Sequence, residues 1–199
     1  CSSPKANSNS QNVNTQQPES QLPPTSEVAD VIENASDAVS GKSEVLLRLK
    51  DGTVVPFGTV PTFISSDAPH WTEYRNGRLY VVRWSDNYRS RPLQEYARLD
   101  QSGNVTTLFQ GTAARGTVSP NEQYAVVTDN IDPVNVVFIN LADMTKKEVL
   151  LDSTGQNPTP HIVLQGWSSD SAYAWARTET YASPQEFFRI TPSGTVIRY

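Results

Sequence analysis

The sequence has very little sulfur and no long apolar segment. Of its 199 residues, only Cys1 is a cysteine and only Met144 is a methionine. A single cysteine excludes an intramolecular disulfide, so the folded part must be stabilised by its core alone. No apolar run approaches the roughly 18–20 residues that a membrane-spanning helix needs. The sequence therefore predicts neither a disulfide scaffold nor a transmembrane helix.

Signatures of catalysis and cofactor binding are also scarce. The net charge of −5 argues against a nucleic-acid partner, which usually meets a basic face. His70 and His161 lie far apart, and neither has a second His or Cys at metal-ligand spacing. The stretch 166–170 (GWSSD) lacks the last glycine of a nucleophile elbow. We therefore expect no enzyme, no cofactor and no metal, with a calcium site assembled from several loops left open.

The first 25 residues differ from the rest in composition. They contain no aromatic residue and are mostly Ser, Asn, Gln and Pro, which predicts a disordered tether over 1–25. Cys1-Ser2-Ser3 followed by such a tether resembles the start of mature bacterial lipoproteins. The resemblance implies lipidation of Cys1 and a place in the bacterial cell envelope; Ser2, where an Asp commonly signals inner-membrane retention, implies the outer membrane or cell surface. The alternative is a sequence that simply begins at this cysteine.

One helical pattern follows the tether. Apolar residues recur at helical spacing from Val28 to Val39, and Gly41 stands where a helix commonly ends. This pattern predicts a short amphipathic helix over 26–41. The helix would either pack on the flank of the following domain or cover an exposed edge of it.

From residue 43 the pattern changes to strands. Asp51-Gly52 between two alternating segments predicts a hairpin over 44–57. Three units of four strands follow, each with a turn between its last two strands. The predicted strands lie near 61–65, 78–84, 94–100 and 104–109, near 113–118, 122–128, 134–140 and 147–152, and near 161–166, 171–177, 185–190 and 194–199.

The units resemble a known repeat. Residues 118–126 (VSPNEQYAV) and 167–171 (WSSDS) are similar to the turn-and-strand signature of TolB-type and WD-type β-propellers. The resemblance covers about residues 60–199 and implies an all-β fold, a partial or small propeller of about three four-stranded blades plus a hairpin. Tyr80, Tyr124 and Tyr173 would then occupy equivalent places, and Trp175 would be buried between blades.

Three blades are fewer than a closed propeller needs. Three solutions stay open: the chain is a fragment, another copy completes it as a homo-oligomer, or the hairpin and the helix close the ring. The domain is taken as residues 43–199 in each case.

The resemblance also predicts a contact face. Loops between second and third strands would share one face with the connections between blades. Tyrosines mixed with charges favour a protein or peptide partner over a small substrate, and the alternative is an ordinary solvated loop face. The residues gathered there would be Tyr88, Arg89, Arg91, Arg115, Asp129, Asp132, Glu179 and Tyr181.

These patterns favour a lipid-anchored binding or scaffolding module that contacts a partner through its propeller loops. The alternative is the truncated propeller part of a larger hydrolase-associated or inactive protein. The absence of a nucleophile elbow and of clustered histidines favours the first interpretation.

Overall fold

The protein is built almost entirely from β-strands. The structure, a computed structural model, describes residues 22–34, 41–61, 72–84, 94–111, 115–129, 135–151, 161–179 and 185–199. Within these ranges the chain forms fifteen strands and a single 3₁₀ turn at Thr25–Glu27. In the same ranges there is no helix with the length and apolarity to cross a membrane. The predicted all-β fold class is confirmed.

The strands form four antiparallel sheets, the first of three strands and the others of four. Sheet 1 contains β1 (Val28–Asn34), β2 (Lys42–Leu49) and β3 (Val54–Pro61), and sheet 2 contains β4 (Thr72–Arg75), β5 (Arg78–Trp84), β6 (Gln94–Leu99) and β7 (Val105–Gly111). Sheet 3 contains β8 (Arg115–Val118), β9 (Tyr124–Asp129), β10 (Asn135–Asn140) and β11 (Lys146–Leu150). Sheet 4 contains β12 (His161–Trp167), β13 (Ala174–Glu179), β14 (Phe187–Ile190) and β15 (Val196–Arg198). Strands lie in chain order across each sheet, as in propeller blades.

The hairpin between β2 and β3 carries the predicted Asp51-Gly52 turn. Its loop has one more residue than predicted, because Gly52 N–H donates to the Leu49 carbonyl while Leu49 N–H donates to the Thr53 carbonyl. Gly52 has φ 88°, which glycine adopts without steric cost. The same two bonds recur around Gly103 in sheet 2 and Gly194 in sheet 4. Within the described residues, sheet 1 therefore corresponds to a blade without its first strand.

The predicted helix over 26–41 is wrong over the part that the structure describes. Residues 28–34 form β1, which pairs antiparallel with β2 from Val28↔Leu49 to Asn34↔Glu44. The β-branched Val28, Val31 and Ile32 favour a strand, and pairing with β2 supplies the backbone partners that a helix would otherwise provide. Residues 35–40 lie outside the described ranges.

The first strand of the first predicted unit is also placed differently. It was predicted near 61–65, whereas the first strand of sheet 2 is Thr72–Arg75. Residue 61 instead ends β3, and residues 62–71 lie outside the described part of the chain. The other eleven predicted strands are all present, with bounds shifted by at most a few residues.

Three apolar layers join successive sheets. Between sheets 1 and 2 lie Val45, Leu47 and Phe57 with Leu79, Val81, Ala97 and Leu99. Between sheets 2 and 3 lie Tyr80, Val82, Tyr96 and Leu108 with Val118, Ala125, Val127, Val137 and Ile139. Between sheets 3 and 4 lie Val126, Val136, Phe138 and Val149 with Ile162, Ala174, Ala176, Phe188 and Ile190. Each internal sheet thus uses one face for the preceding sheet and the other face for the next.

The strand register corrects the predicted equivalence of three tyrosines. In each four-stranded sheet, one residue of the second strand pairs with the residue just before the turn that joins the third and fourth strands. These residues are Leu79, Ala125 and Ala174. Tyr124 and Tyr173 precede that position, whereas Tyr80 follows it. The reason is the shorter first turn of sheet 2, Asn76-Gly77, where both residues have positive φ, a pair typical of two-residue hairpins.

Candidate interaction surfaces

The predicted loop face is described only at its base. Arg115 begins β8, Asp129 ends β9 and Glu179 ends β13. Arg115 pairs in register with Thr128, so Arg115 and Asp129 lie at the same end of sheet 3. Glu179 lies at the corresponding end of sheet 4, and its Oε1 is 3.6 Å from Nη2 of Arg177. The five remaining residues of this face, Tyr88, Arg89, Arg91, Asp132 and Tyr181, lie outside the described residues, and its binding role stays a prediction.

A buried ion pair stands next to the base of this face. Glu95 is buried on β6, and its Oε2 is 2.8 Å from Nη2 and 2.9 Å from Nε of Arg83 on β5. Gln110 on β7 donates to the other carboxylate oxygen, and Thr107 Oγ1 lies 3.4 Å from Oε2. Both carboxylate oxygens of Glu95 thus accept hydrogen bonds, and Arg83 balances its charge. We interpret this group as a structural tie across three strands.

The described residues contain no cluster that could hold a metal ion, and the cavity that they line is small. No group of three His, Cys, Asp or Glu side chains among them can hold a metal ion. His161 is exposed at the start of β12, and His70 lies outside the described ranges. A cavity of about 170 Å³ is lined by Arg78, Arg98, Leu99, Asp100, Asn104 and Thr106. It is smaller than the several hundred Å³ that ligand pockets usually have.

The outer face of sheet 4 is the most distinctive described surface. Residues alternate along β13, so Ala174 and Ala176 point to sheet 3 while Trp175 points away. Arg189 on β14 pairs with Trp175 in register and shares its face. We call this surface the terminal face; it consists of Tyr173, Trp175, Arg177, Phe187, Arg189, Ile197 and Tyr199.

Two aromatic rings of the terminal face lie against the guanidinium group of Arg189. The Arg189 guanidinium carbon lies 4.1 Å from the ring centre of Tyr173 and 5.6 Å from that of Trp175. Trp175 meets Tyr173 edge to face at 5.0 Å and lies 6.1 Å from Tyr199. Nε of Arg189 is buried and has no hydrogen-bond partner among the described residues. The face is thus an ordered aromatic cluster that contains a cation.

The register shows that sheet 2 also has an aromatic residue beside an arginine at this position, Tyr80 with Arg98, and that Tyr80 is fully buried against sheet 3. Sheet 3 has Val126 and Phe138 where sheet 4 has Trp175 and Arg189, and both are fully buried against sheet 4. On the terminal face, by contrast, Phe187 is 44% exposed, Ile197 41% and Tyr199 62%. Trp175 is only half-buried, so the prediction that it is buried between blades is wrong for the single chain.

Sheet 1 exposes the face that would meet a preceding sheet, and we call this surface the opening face. It consists of Asp30, Ile32, Leu46, Arg48, Val54 and Pro56, at the positions that point to the preceding sheet elsewhere in the chain. Asp30 Oδ2 is 3.9 Å from Nη1 of Arg48, and their side chains are 60% and 52% exposed. Val54 is 46% exposed. The first and last sheets therefore each expose the face that a neighbouring sheet covers inside the array.

Four successive antiparallel sheets in this arrangement define a β-propeller-like protein. No family model matches the sequence, and no curated protein matches it. Among solved structures, the chain is similar to TolB from Acinetobacter baumannii, with a TM-score of 0.52 and 10% identity, over 85% of this chain and 43% of that chain. It is similar to the same extent to a structure from a study of two prolyl endopeptidases, with a TM-score of 0.52, 12% identity, and coverage of 88% of this chain and 26% of that one.

These similarities establish the fold and nothing finer. The chain spans less than half the length of TolB (43%) and about a quarter of the endopeptidase (26%). The sequence-based resemblance to propeller repeats is confirmed at that level.

Proposed function

We propose that the protein is a non-enzymatic binding module of the bacterial cell envelope, lipid-anchored through Cys1, that contacts another protein. The observation that supports this most directly is the terminal face. Trp, Tyr and Arg are the residue types most enriched at energetically dominant positions of protein interfaces. Here they form one cluster around Arg189, and no described part of the chain covers it.

The absence of enzymatic activity is part of the proposal. It is supported by the lack of a nucleophile elbow and of clustered histidines in the sequence. The envelope location is supported by the lipoprotein-like start of the sequence. The predicted loop face, with Tyr88, Arg89, Arg91, Asp132 and Tyr181 outside the described residues, would provide a second contact region on the same module.

A capture experiment with matched variants tests the binding role. The wild-type chain, a Trp175→Ala/Tyr199→Ala variant and a Leu150→Ala control are immobilised and exposed to an envelope extract. Leu150 is a suitable control because it is 58% exposed but belongs to the outermost strand of sheet 3. We expect the double variant to lose at least one protein that wild type and control both recover. Equal recovery by all three would contradict a binding role for the terminal face.

A further inference from the structure

The terminal face and the opening face are two halves of one repeated interface. Inside the array, Val126 and Phe138 of sheet 3 pack against Ala174, Ala176, Phe188 and Ile190 of sheet 4. On sheet 4, Trp175 and Arg189 occupy the positions that Val126 and Phe138 have on sheet 3. On sheet 1, the positions that Ala174, Ala176, Phe188 and Ile190 have on sheet 4 are occupied by Asp30, Ile32, Leu46 and Arg48. The register shows this, because the pair Asp30↔Arg48 corresponds to Ala174↔Ile190 and the pair Ile32↔Leu46 corresponds to Ala176↔Phe188.

We infer that the terminal face of one chain packs on the opening face of a second copy, and that two copies close into one ring. This inference rests on the proposed function, since it names the partner of the same terminal face. It requires no new kind of contact. It repeats between chains the sheet-on-sheet packing that occurs three times within the chain.

Charge complementarity supports a second copy as the occupant. Arg189 presents a guanidinium whose Nε is buried and unpartnered among the described residues. Across the repeated interface it would meet Asp30, whose side chain is 60% exposed. Oδ1 of Asp30 accepts a hydrogen bond from Val31 N–H, and its Oδ2 lies 3.9 Å from Nη1 of Arg48 in a loose ion pair. Arg–carboxylate contacts are among the strongest and most directional in interfaces. A like-charge pair at this position would be unfavourable.

The number of sheets supports closure by two chains. The described residues of each chain form four sheets, of which the first has three strands. Two copies supply eight, which is within the range of closed propellers. A two-fold axis through the ring centre would make both junctions equivalent, so that Arg189 of each copy meets Asp30 of the other. Closure would also cover the apolar side chains that each chain exposes at its two ends, such as Val54 and Ile197.

Two single variants and their mixture test this inference in purified protein. The mass in solution is measured by sedimentation for the 199-residue chain under reducing conditions, which prevents a disulfide through Cys1. We expect wild type at twice the 22.0 kDa of one chain. Arg189→Asp alone would place two acidic groups at each junction, and Asp30→Arg alone would place two arginines there. Each is expected to shift the protein to the monomer mass.

Mixing the two variants makes the test specific. In a mixed pair, one junction joins the new Asp at 189 to the new Arg at 30, and the other joins the native Arg189 to the native Asp30. We therefore expect the equimolar mixture to recover the dimer that neither variant forms alone. Glu148→Lys, an equal change of charge on an exposed residue of β11, should remain dimeric. Circular dichroism of each variant must match wild type for its mass to be counted.

Several results would overturn the inference. These are a monomeric wild type, a species larger than a dimer, or single variants that keep the wild-type mass while folded. Failure of the mixture to recover the dimer would equally exclude this pairing of faces. If the wild type is monomeric while the Trp175→Ala/Tyr199→Ala variant still loses a captured protein, the binding role stands and only the second copy is wrong.

Discussion

Glu73 Oε2 lies 3.2 Å from the backbone nitrogen of Val118, and this bond links the first strands of sheets 2 and 3. The same oxygen is 3.2 Å from Thr117 Oγ1, while the other carboxylate oxygen accepts hydrogen bonds from Arg75. The apolar layers hold the sheets together over most of their area. Glu73 adds a directional bond between two blades where their first strands meet.

The loss of stability on replacing Glu73 should therefore depend on whether the new side chain keeps a hydrogen-bond acceptor. Glu73→Ala leaves the Val118 N–H without its partner, which costs about 1–3 kcal/mol for a buried donor. Glu73→Gln keeps an acceptor oxygen at the same place and should cost clearly less. Urea unfolding of both variants measures the difference. Equal losses would show that the Val118 bond contributes nothing beyond the side-chain packing.

The Arg83–Glu95 pair gives a second stability prediction. Arg83→Leu would leave the buried Glu95 carboxylate without its cation, and such changes typically cost about 3–5 kcal/mol. The double variant Arg83→Leu/Glu95→Leu removes both charges and should recover much of that loss. Urea unfolding measures the free energy of unfolding of the single and double variants and so shows whether removing the second charge recovers the loss. A single variant as stable as wild type would mean that Gln110 and Thr107 suffice to hold the carboxylate.

The membrane anchor stays a prediction that needs an experiment in cells. Cys1→Ser, expressed with a secretion signal, removes the thiol that the lipoprotein-like start of the sequence implies is lipidated. We expect the variant in the soluble fraction, since a tether of polar residues has no apolar segment to hold a bilayer. Fractionation and detection of each fraction by antibody measure the distribution. Retention of the variant in the membrane fraction would contradict the anchor.

Local patterns predicted most of the strands, because period-two alternation and glycine turns act over a few residues. Tyr124–Val127 and its turn illustrate this, since the turn bonds Ser119 N–H to the Tyr124 carbonyl just where the sequence indicates. The helix at 26–41 failed because Val28, Val31 and Ile32 fit a helical stripe and a strand equally well. Only the partner strand β2, which the sequence does not identify, decides between them.

The terminal face could not be located from sequence for a similar reason. The alternation at Ala174–Arg177 indicates one face with small residues and one with large residues. It does not say which of the two faces a neighbouring sheet covers. Taken as a repeat of Val126, Trp175 was predicted to be buried. That is the environment of the same position in sheet 3, where the next sheet is present.

Alkaline pH should destabilise the protein through Tyr96. Burial raises the pKa of Tyr96 well above its usual value, with a smaller contribution from the Glu73 carboxylate. A folded-state pKa above the unfolded value gives stability that is complete below about pH 10 and is lost as the pH rises through the folded-state pKa. Tyr96→Phe removes this group, and the Tyr96 hydroxyl has no hydrogen-bond partner among the described residues.

The variant should therefore be at least as stable as wild type at neutral pH. It should also lose less stability between about pH 8 and pH 11. Urea unfolding at both pH values measures the two differences. Tyr74 and Tyr80 also have pKa values raised by burial, so part of the alkaline loss should remain in the variant. A wild type and a Tyr96→Phe variant with the same pH dependence would show that Tyr96 is not protected from ionisation.

The close approach of Gly116 to Tyr96 gives the last prediction. A Cβ added at Gly116 on β8 would lie 2.9 Å from three ring atoms of Tyr96, which is closer than real side-chain contacts allow. The ring cannot move aside easily, because it is stacked on Tyr80 at 6.3 Å and buried between sheets 2 and 3. Gly116→Ala should therefore cost about 1–3 kcal/mol, the usual range for overpacking a core.

A double-mutant cycle identifies the ring as the cause. Tyr96→Leu alone leaves space in the core and should cost stability. In the Tyr96→Leu background, however, Gly116→Ala meets a smaller side chain and should cost less than in wild type, by at least about 0.5 kcal/mol for residues in direct contact. Urea unfolding of the four proteins gives this coupling energy. Two additive losses would mean that β8 moves to accept the methyl group, and that the layer between sheets 2 and 3 is less tightly packed than these distances indicate.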